Sequence, residues 1–384
     1  MGPHIFHIID DYSPANYGVN QVVRQLTDYL ARQGYATTIL TAGKAQTPVP
    51  AGVDLKEFPL TAGGRRWRYP LGFKEYLDQL GRIPDKIFHI HGVWLAPQWL
   101  AARAAARQGV AALLTPHGML EPWHWRDGQL RRIKKLIYWY SLAYPAFRRL
   151  SLIQAITPLE RHNLAGQFPG QIIEVIPNAL DLTEADAFLA GQGEDRLSEN
   201  VTPYLLFLGR LHPKKGLEVL IPAFAEALKG RPVRLLIAGP AHTPQYARRL
   251  ETLVRHLGLE TQVSFLGAVA APEKWRLYRQ AWAFCAPSHS EVVGLVNLEA
   301  AVLKTPVITT YETGLSDWEE GGGLLVHPRV AEVAQALKQV FSWSAAQRQE
   351  RGRRLRQLVE NRYCWEVVGP QWLGLYTKLL ESRA

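Results

Sequence analysis

At 384 residues, 47% of them apolar, the chain is too long for one ordinary domain and too apolar for a disordered one; it suits two domains with separate cores. Its two cysteines, Cys285 and Cys364, both in apolar company, exclude a disulfide framework, no apolar run approaches the ~18 residues that cross a bilayer, and the start MGPHIFHIIDD lacks a basic leader, so a cytoplasmic protein is expected. The net charge of +10 says nothing about the fold but points to anionic partners: sugar nucleotides, anionic lipid headgroups or nucleic acid.

Short β-rich runs alternate with amphipathic helical patterns. The first strand candidate is HIFHII (4–9), followed by a helix from Val19 to Arg32 in which Val19, Val22, Val23, Leu26 and Leu30 share a face. YATTIL (35–40), KIFHIH (86–91), ALLTPH (112–117), SLIQAIT (151–157) and IIEVIP (172–177) complete the first half. Residues 181–203 are polar, hold Gly and Pro, and read as a poorly packed stretch between domains. The second half offers YLLFLG (204–209), VRLLIAG (233–239), VSFLG (263–267), AWAFCAP (281–287), PVITT (306–310) and GLLVH (323–327), with a helix over Gly216–Lys229. The final helical pattern carries Trp365, Val368, Trp372, Leu375, Tyr376 and Leu379, too apolar to stay undocked. Several strands are apolar on both faces, as in a covered parallel sheet. Strand–helix–strand repetition predicts two parallel α/β sheets with ligands at the carboxyl ends of the strands.

Two segments carry the chemistry. LFLGRLHPKKGLEVLIPAF (206–224) is a strand, a Gly-Arg turn, a basic loop and a helix starting near Gly216. Arg210 and Lys215 flank that helix N-terminus, where unpaired N–H groups already favour an anion. Two cations there suit a diphosphate that gains charge as it departs; Lys214 reads as solvated. In APSHSEVVGLVNLEAAVLKTPVITT (286–310), Glu291 and Glu299 lie eight apart with Gly294 between them. That spacing is too wide for carboxylates sharing a proton and suits two that grip opposite ends of an extended ligand. Glu299, on the helix, is placed to accept from ribose hydroxyls, and Glu291, in the loop above, to meet a sugar; the bland alternative is a pair of surface glutamates.

GR-x4-KG followed by SE-x-x-G-x-x-x-LEA resembles the donor domain of the retaining GT-B glycosyltransferases of family 4. NYGVNQVVRQLTDYLARQGY (16–35) is similar to that family's first loop and helix, VIPNALD (175–181) to its interdomain strand, and KTPVIT (304–309) to the segment after its second glutamate. The resemblance spans essentially the whole chain. It implies a GT-B fold: Rossmann-like domains over 1–180 and 181–364 facing across a cleft, the helix 365–384 packing back on the first. It implies a cytoplasmic hexosyltransferase acting with retention on an NDP-sugar, with UDP- or GDP-sugar as donor and no cofactor or metal. The acceptor would be a glycan or a lipid-linked glycan of cell-surface polysaccharide synthesis. The implied roles are diphosphate binding for Arg210 and Lys215, ribose for Glu299, and the transferred sugar for Glu291. Gly294 and Leu295 complete the donor loop, Gly18 offers a backbone N–H, and His117 in TPHGMLEPW reaches the donor sugar from the first domain. The chain departs from the family in holding one glycine at Tyr17-Gly18-Val19, Val292-Val293 after the first glutamate, and Ala179 after the hinge asparagine. These departures leave the donor and acceptor open.

HIHGVW (89–94) holds a second His-Gly pair at a strand end; His89 and His91 alternate and therefore share a face, and His91 and Trp94 are candidates for the acceptor side, with core packing as the alternative. PWHWRDGQLRRIKKLIYWYSLAYPAFRRL (122–150) combines Arg131, Arg132, Lys134, Lys135, Arg148 and Arg149 with Trp123, Trp125, Tyr138, Trp139, Tyr140 and Tyr144. One reading is a basic amphipathic face for an anionic membrane surface, joined by RRWRYP (65–70), placing the enzyme peripherally on the inner face of the membrane. The other is a solvated helix whose aromatics pack inward. Rival functions are a GT-B nucleotide-sugar epimerase and, from another class, a basic nucleic-acid-binding protein. The latter leaves the glutamate pair unexplained. The absence of a G-x-G-x-x-G after the first strand weighs against a dehydrogenase.

Overall fold

The computed structural model describes residues 2–13, 17–64, 66–81, 83–126, 128–191 and 202–381. Contacts divide the chain into two units, Met1–Ala179 with Trp365–Ala384, and Leu180–Cys364.

The first unit holds strands β1 (His4–Ile9), β2 (Thr37–Ala42), β3 (Val53–Phe58), β4 (Lys86–His91), β5 (Ala111–Thr115), β6 (Leu152–Ala155) and β7 (Ile173–Val175). All pair in parallel in the order β3-β2-β1-β4-β5-β6-β7. Its helices are α1 (Tyr17–Arg32), α2 (Phe73–Leu80), α3 (Ala96–Gln108), α4 (Gln129–Tyr138), α5 (Tyr144–Phe147) and α6 (Pro158–Gln167). Alternation along the strands sends Phe6, Ile8, Phe88 and Ile90 to a face covered by α2 and α3. Ile5, Ile87 and Leu113 go to the other face, which meets Leu26 and Leu30 of α1.

The second unit holds α7 (Thr183–Gly191), β8 (Tyr204–Leu208), α8 (Leu217–Leu228), β9 (Arg234–Ala238), α9 (Pro244–His256), β10 (Val263–Gly267), α10 (Glu273–Gln280), β11 (Ala283–Cys285), α11 (Leu295–Val302), β12 (Val307–Thr310), β13 (Leu324–Val326), α12 (Val330–Val340) and α13 (Ala345–Arg362). Its sheet, again parallel, runs β10-β9-β8-β11-β12-β13. Leu205, Phe207, Leu235 and Ile237 pack against Leu220 and Phe224 of α8. In each unit the connections turn opposite ways from one adjacent pair, β1/β4 and β8/β11. The loops leaving their carboxyl ends diverge there, and that is where such sheets bind ligands.

Two expectations need correction. The first sheet has seven strands rather than six: the edge strand β3, VDLKEF, buries only Val53 and Phe58, so its polar face masks it. Residues 181–203 are not simply loose: Thr183–Gly191 is helical, Ala185 is buried, and Asp186 is ion-paired with Arg356 at 2.6 Å; residues 192–201 lie outside the described ones.

The final helix, α14 (Trp365–Glu381), lays Val368, Trp372, Leu375, Tyr376 and Leu379 on the face of the first sheet that carries Ile5 and Ile87. Trp372 is buried there. Trp372→Ala is expected to lower the unfolding free energy by about 3–5 kcal/mol in urea titrations, the cost of emptying a buried aromatic site.

Candidate functional site

The second unit assembles its site from the loops after β8 and β11. Gly216, at φ 72, caps α8, and a Cβ on it would lie 1.9 Å from the carbonyl oxygen of Pro287. Only glycine lets the two loops approach this closely. The His289 N–H donates to the Lys214 carbonyl at 2.8 Å, and the Lys215 ammonium binds the Glu291 carboxylate across the same junction. Burial pushes the Glu291 carboxyl up, but Lys215, with Lys214 and hydrogen bonds to Lys215 and Val292, outweighs it and holds the group below the usual carboxylate range. Arg210 is exposed beside them, with no acidic partner among the described residues. The local field registers on His212: burial first, then His242, Arg210, Lys214 and Lys215, lower its pKa to about 4, so it stays neutral. Its Nδ1 accepts from the Lys214 N–H at 3.0 Å.

After Glu291 the backbone passes through two residues at positive φ, Val293 (67°) and Gly294 (61°), pinned where the Val293 N–H donates to the Thr313 carbonyl at 2.9 Å. α11 then begins with no side-chain cap, leaving the first-turn N–H groups of Leu295 and Val296 turned toward the loop. Four residues on, Glu299 accepts from Lys274 Nζ at 2.9 Å and Tyr278 Oη at 3.0 Å, one donor on each carboxylate oxygen. Two such bonds leave half of the lone pairs available.

In the first unit, His117 follows β5 at φ 54 and Gly118 follows at φ 70. This left-handed pair is held by Glu160, whose buried carboxylate accepts from the Gly118 N–H and the Ile156 N–H, both at 2.7 Å. A non-glycine residue held at this φ is strained and persists only because its surroundings fix it. His117 is half-buried, and its Nε2 meets Nδ1 of the buried His91 at 2.9 Å. Gly18, in the first turn of α1, is exposed with open space around its Cα.

The family model of Glycosyltransferase Family 4 matches residues 17–184, and that of Glycosyl transferases group 1 matches residues 194–357. A D-inositol 3-phosphate glycosyltransferase of Actinosynnema mirum is 32% identical over 378 residues, covering 84% of this chain and 83% of that protein. The chain belongs to the group 1, family 4 glycosyltransferases. Matches to three other glycosyltransferases span 56%, 58% and 60% of those proteins' length. Sucrose-phosphate synthase from Thermosynechococcus elongatus superposes with a TM-score of 0.78 at 21% identity over 99% of this chain and 100% of that one. HepE of Anabaena, solved in complex with UDP-glucose, gives 0.72 at 16% identity over 99% of each. These structures establish the GT-B fold.

In this chain Arg210, Lys215, Glu291, Gly294 and Leu295 lie at one loop junction, and Glu299 sits one turn into the following helix. His91 does not reach the surface. It is 1% exposed, with Nε2 on His7 and Nδ1 on His117, so it stands behind His117 rather than on an acceptor surface. The Trp94 indole N–H is spent on the Met119 carbonyl at 3.2 Å, and its ring packs against Trp125, Tyr138 and Trp139. Sequence reasoning missed Lys274 and Tyr278, which share a helix face at i, i+4 in EKWRLYRQ, and Glu160. The capping pattern Thr157-Pro-Leu-Glu160 was the available signal for Glu160.

Burial keeps His7, His89 and His91 uncharged: His7 is lowered to about 3, and the other two fall well below their usual value with neighbouring histidines adding to the effect. The unfolded chain protonates them near pH 6.5 and the folded chain does not, so stability is lost as pH falls from about 6.5 toward 3. Urea midpoints measured between pH 7.5 and 5 are expected to drop steeply. His7→Asn is expected to flatten the slope by up to about 1.4 kcal/mol per pH unit.

Proposed function

We propose that the chain is a retaining hexosyltransferase that takes its sugar from a UDP- or GDP-sugar and passes it to a glycan or lipid-linked acceptor of a cell-surface polysaccharide. The observation that supports this most is the Lys215–Glu291 pair at the carboxyl ends of β8 and β11, with Arg210 uncovered beside it. HepE, which shares the fold, was solved in complex with UDP-glucose.

In this reading the donor diphosphate lies against Arg210, Lys215 and the open N–H groups of Leu295 and Val296. Lys215 moves from the Glu291 carboxylate to a phosphate oxygen. As the bond from the anomeric carbon to the phosphate oxygen stretches, negative charge grows on the leaving group and the fixed cations stabilise it more than they stabilise the ground state. Glu291, ionised, then faces the oxocarbenium-like sugar. Glu299, steadied by Lys274 and Tyr278, takes the ribose hydroxyls. His117 meets the transferred sugar, and the Gly18 N–H takes a phosphate or acceptor oxygen. Side-chain cations and backbone N–H groups do the work of a divalent ion, so turnover is proposed to need no metal.

A thermal-shift panel of UDP-, GDP- and ADP-sugars identifies the donor: at a hundredfold excess over Kd the true one stabilises by about 2.7 kcal/mol. Lys215→Ala is expected to cut kcat by about 10²-fold or more in a folded protein. NMR of the product is expected to show the donor's anomeric configuration preserved. Inversion, unchanged turnover in Lys215→Ala, or complete loss of turnover in EDTA would each remove the corresponding step. Free nucleotide released with no glycosylated acceptor would favour the epimerase.

For the acceptor side, α4 carries the informative surface. No residue of α4 is buried, and Leu130, Ile133, Ile137 and the following Tyr140 are 77, 46, 63 and 66% exposed at spacings of three, four and three. They form one apolar stripe facing water, flanked by exposed Arg131, Arg132 and Lys134 with no acidic residue in the helix. Apolar residues on one stripe with cations beside them fit an anionic lipid surface. The surface is narrower than the sequence suggested. Trp139 is buried, Trp125, Tyr138 and Tyr144 pack on the core, and Arg68 is tied to the Asp10 carbonyl and paired with Asp11; Arg65 and Asp127 lie outside the described residues. No helix among the described residues is long and apolar enough to cross a membrane. The protein is expected to co-float with phosphatidylglycerol-containing vesicles and not with phosphatidylcholine alone. Changing Leu130, Ile133 and Ile137 together to Ser is expected to weaken that binding at least about tenfold without loss of fold. Equal flotation of the triple variant would sink the membrane role.

A further inference from the structure

Four histidines lie together at the carboxyl ends of β1, β4 and β5, and hydrogen-bond accounting separates them into one fixed residue and three linked ones. The fixed one is His89. Gln154 Nε2 donates to the carbonyls of Ala155 and Ile176 at 2.7 and 2.6 Å, so its Oε1 faces Thr115, whose hydroxyl donates to it at 2.7 Å. The Thr115 oxygen must then accept from Nε2–H of His89 at 2.8 Å, and Nδ1 of His89 accepts from the Tyr376 hydroxyl at 2.8 Å. His7, His89 and His91 have ring nitrogens within 4.8 Å of one another, a spacing a metal ion would tolerate. Both nitrogens of His89 are already committed, so hydrogen bonds account for the cluster without one.

The other three form a head-to-tail row. His7 Nδ1 meets His91 Nε2 at 3.0 Å, and His91 Nδ1 meets His117 Nε2 at 2.9 Å. A neutral imidazole has one N–H, and each N···N bond needs one. Only two arrangements satisfy both bonds: every ring carries its proton on Nδ1, or every ring carries it on Nε2. They differ at the ends. His7 Nε2 is buried with no partner among the described residues. The Nε2–H arrangement would leave an orphan N–H there, whereas the Nδ1–H arrangement leaves a bare acceptor, which folded proteins tolerate better.

We propose that His7 and His91 are positioning residues that lock His117 as the Nδ1–H tautomer, so that it offers a neutral hydrogen-bond donor to a hydroxyl oxygen of the transferred sugar. The lock stands on the row itself; the sugar contact rests on the function proposed above. Burial holds His7 and His117 at pKa values of about 3, so the row carries no charge at neutral pH. The positive φ of His117 and the Glu160 clamp on Gly118 fix where the free nitrogen points.

Long-range 1H–15N spectra of the full chain with labelled histidine read tautomers directly, and His117→Asn identifies the His117 signals by their loss. The expected wild-type result is Nδ1–H for His7, His91 and His117, and Nε2–H for His89. Nε2–H on His117 in the wild-type chain would overturn the lock. His91→Asp, whose carboxylate accepts a proton from His117, is expected to switch His117 to Nε2–H and to raise the donor KM about tenfold, the size of one net hydrogen bond. His91→Asn, whose amide nitrogen replaces the Nδ1–H donor, is expected to restore both. A switched tautomer with an unchanged donor KM would leave the lock standing and remove His117 from the sugar.

Discussion

The site in the second unit depends on one electrostatic constraint: Lys215 and Glu291, each about a fifth exposed, neutralise one another across two loops that the chain brings together from strands far apart in sequence. Removing either would leave a charge with little water to solvate it. The loops meet because Gly216 has no side chain to strike Pro287 and because Lys214 and His289 share a backbone hydrogen bond. The pair also stores an excess. With Arg210 uncovered, the junction keeps net positive charge after Glu291 has been matched, and that charge adds to burial and His242 in lowering His212. A dianionic group that takes Lys215 from Glu291 replaces one anion with another beside the same ammonium, and the excess charge of Arg210 offsets part of what Glu291 loses.

How far the sequence revealed this depended on which physical signal each element left. β8 and β9 are apolar on both faces, and β1 and β4 buried on both, so they stood out; β3, an edge strand with charged residues outward, did not. The Gly-Arg and Lys-Gly turn and the spaced glutamates were legible because their residue types are odd among apolar neighbours. Lys274 and Tyr278 were not, since EKWRLYRQ reads as any charged surface helix until Glu299 is placed against it. In the basic segment the sequence could not say which aromatics turn inward. The structure buries Trp139 and exposes aliphatic Leu130, Ile133 and Ile137.

His91 shows the limit of pattern reading most clearly. Its place at a strand end beside a glycine is what a ligand-binding residue would have, and alternation correctly put it on the face of His89, with ring centroids 4.0 Å apart. What alternation cannot tell is that α14, from the other end of the chain, lays Trp372 and Tyr376 over that face. With His89 covered in this way, His91 is enclosed by His7, His89 and His117 and stands in the middle of a row rather than at the surface.

The two units thus present different chemistry on the same kind of sheet. Beyond β8 and β11 the groups are charged and partly exposed, which suits phosphate: charge attracts it and strengthens as the leaving group departs. Beyond β4 and β5 the groups are neutral imidazoles, a hydroxyl and amides, each bonded to the next. A charged histidine there would be costly, because burial opposes the proton on every ring. Neutral donors held by one another discriminate by geometry rather than by charge. They suit hydroxyl groups, which are uncharged and differ between sugars only in direction. Because each ring's proton fixes the next, the direction of the last N–H is set by residues the ligand never touches, and a change at His7 is felt at His117.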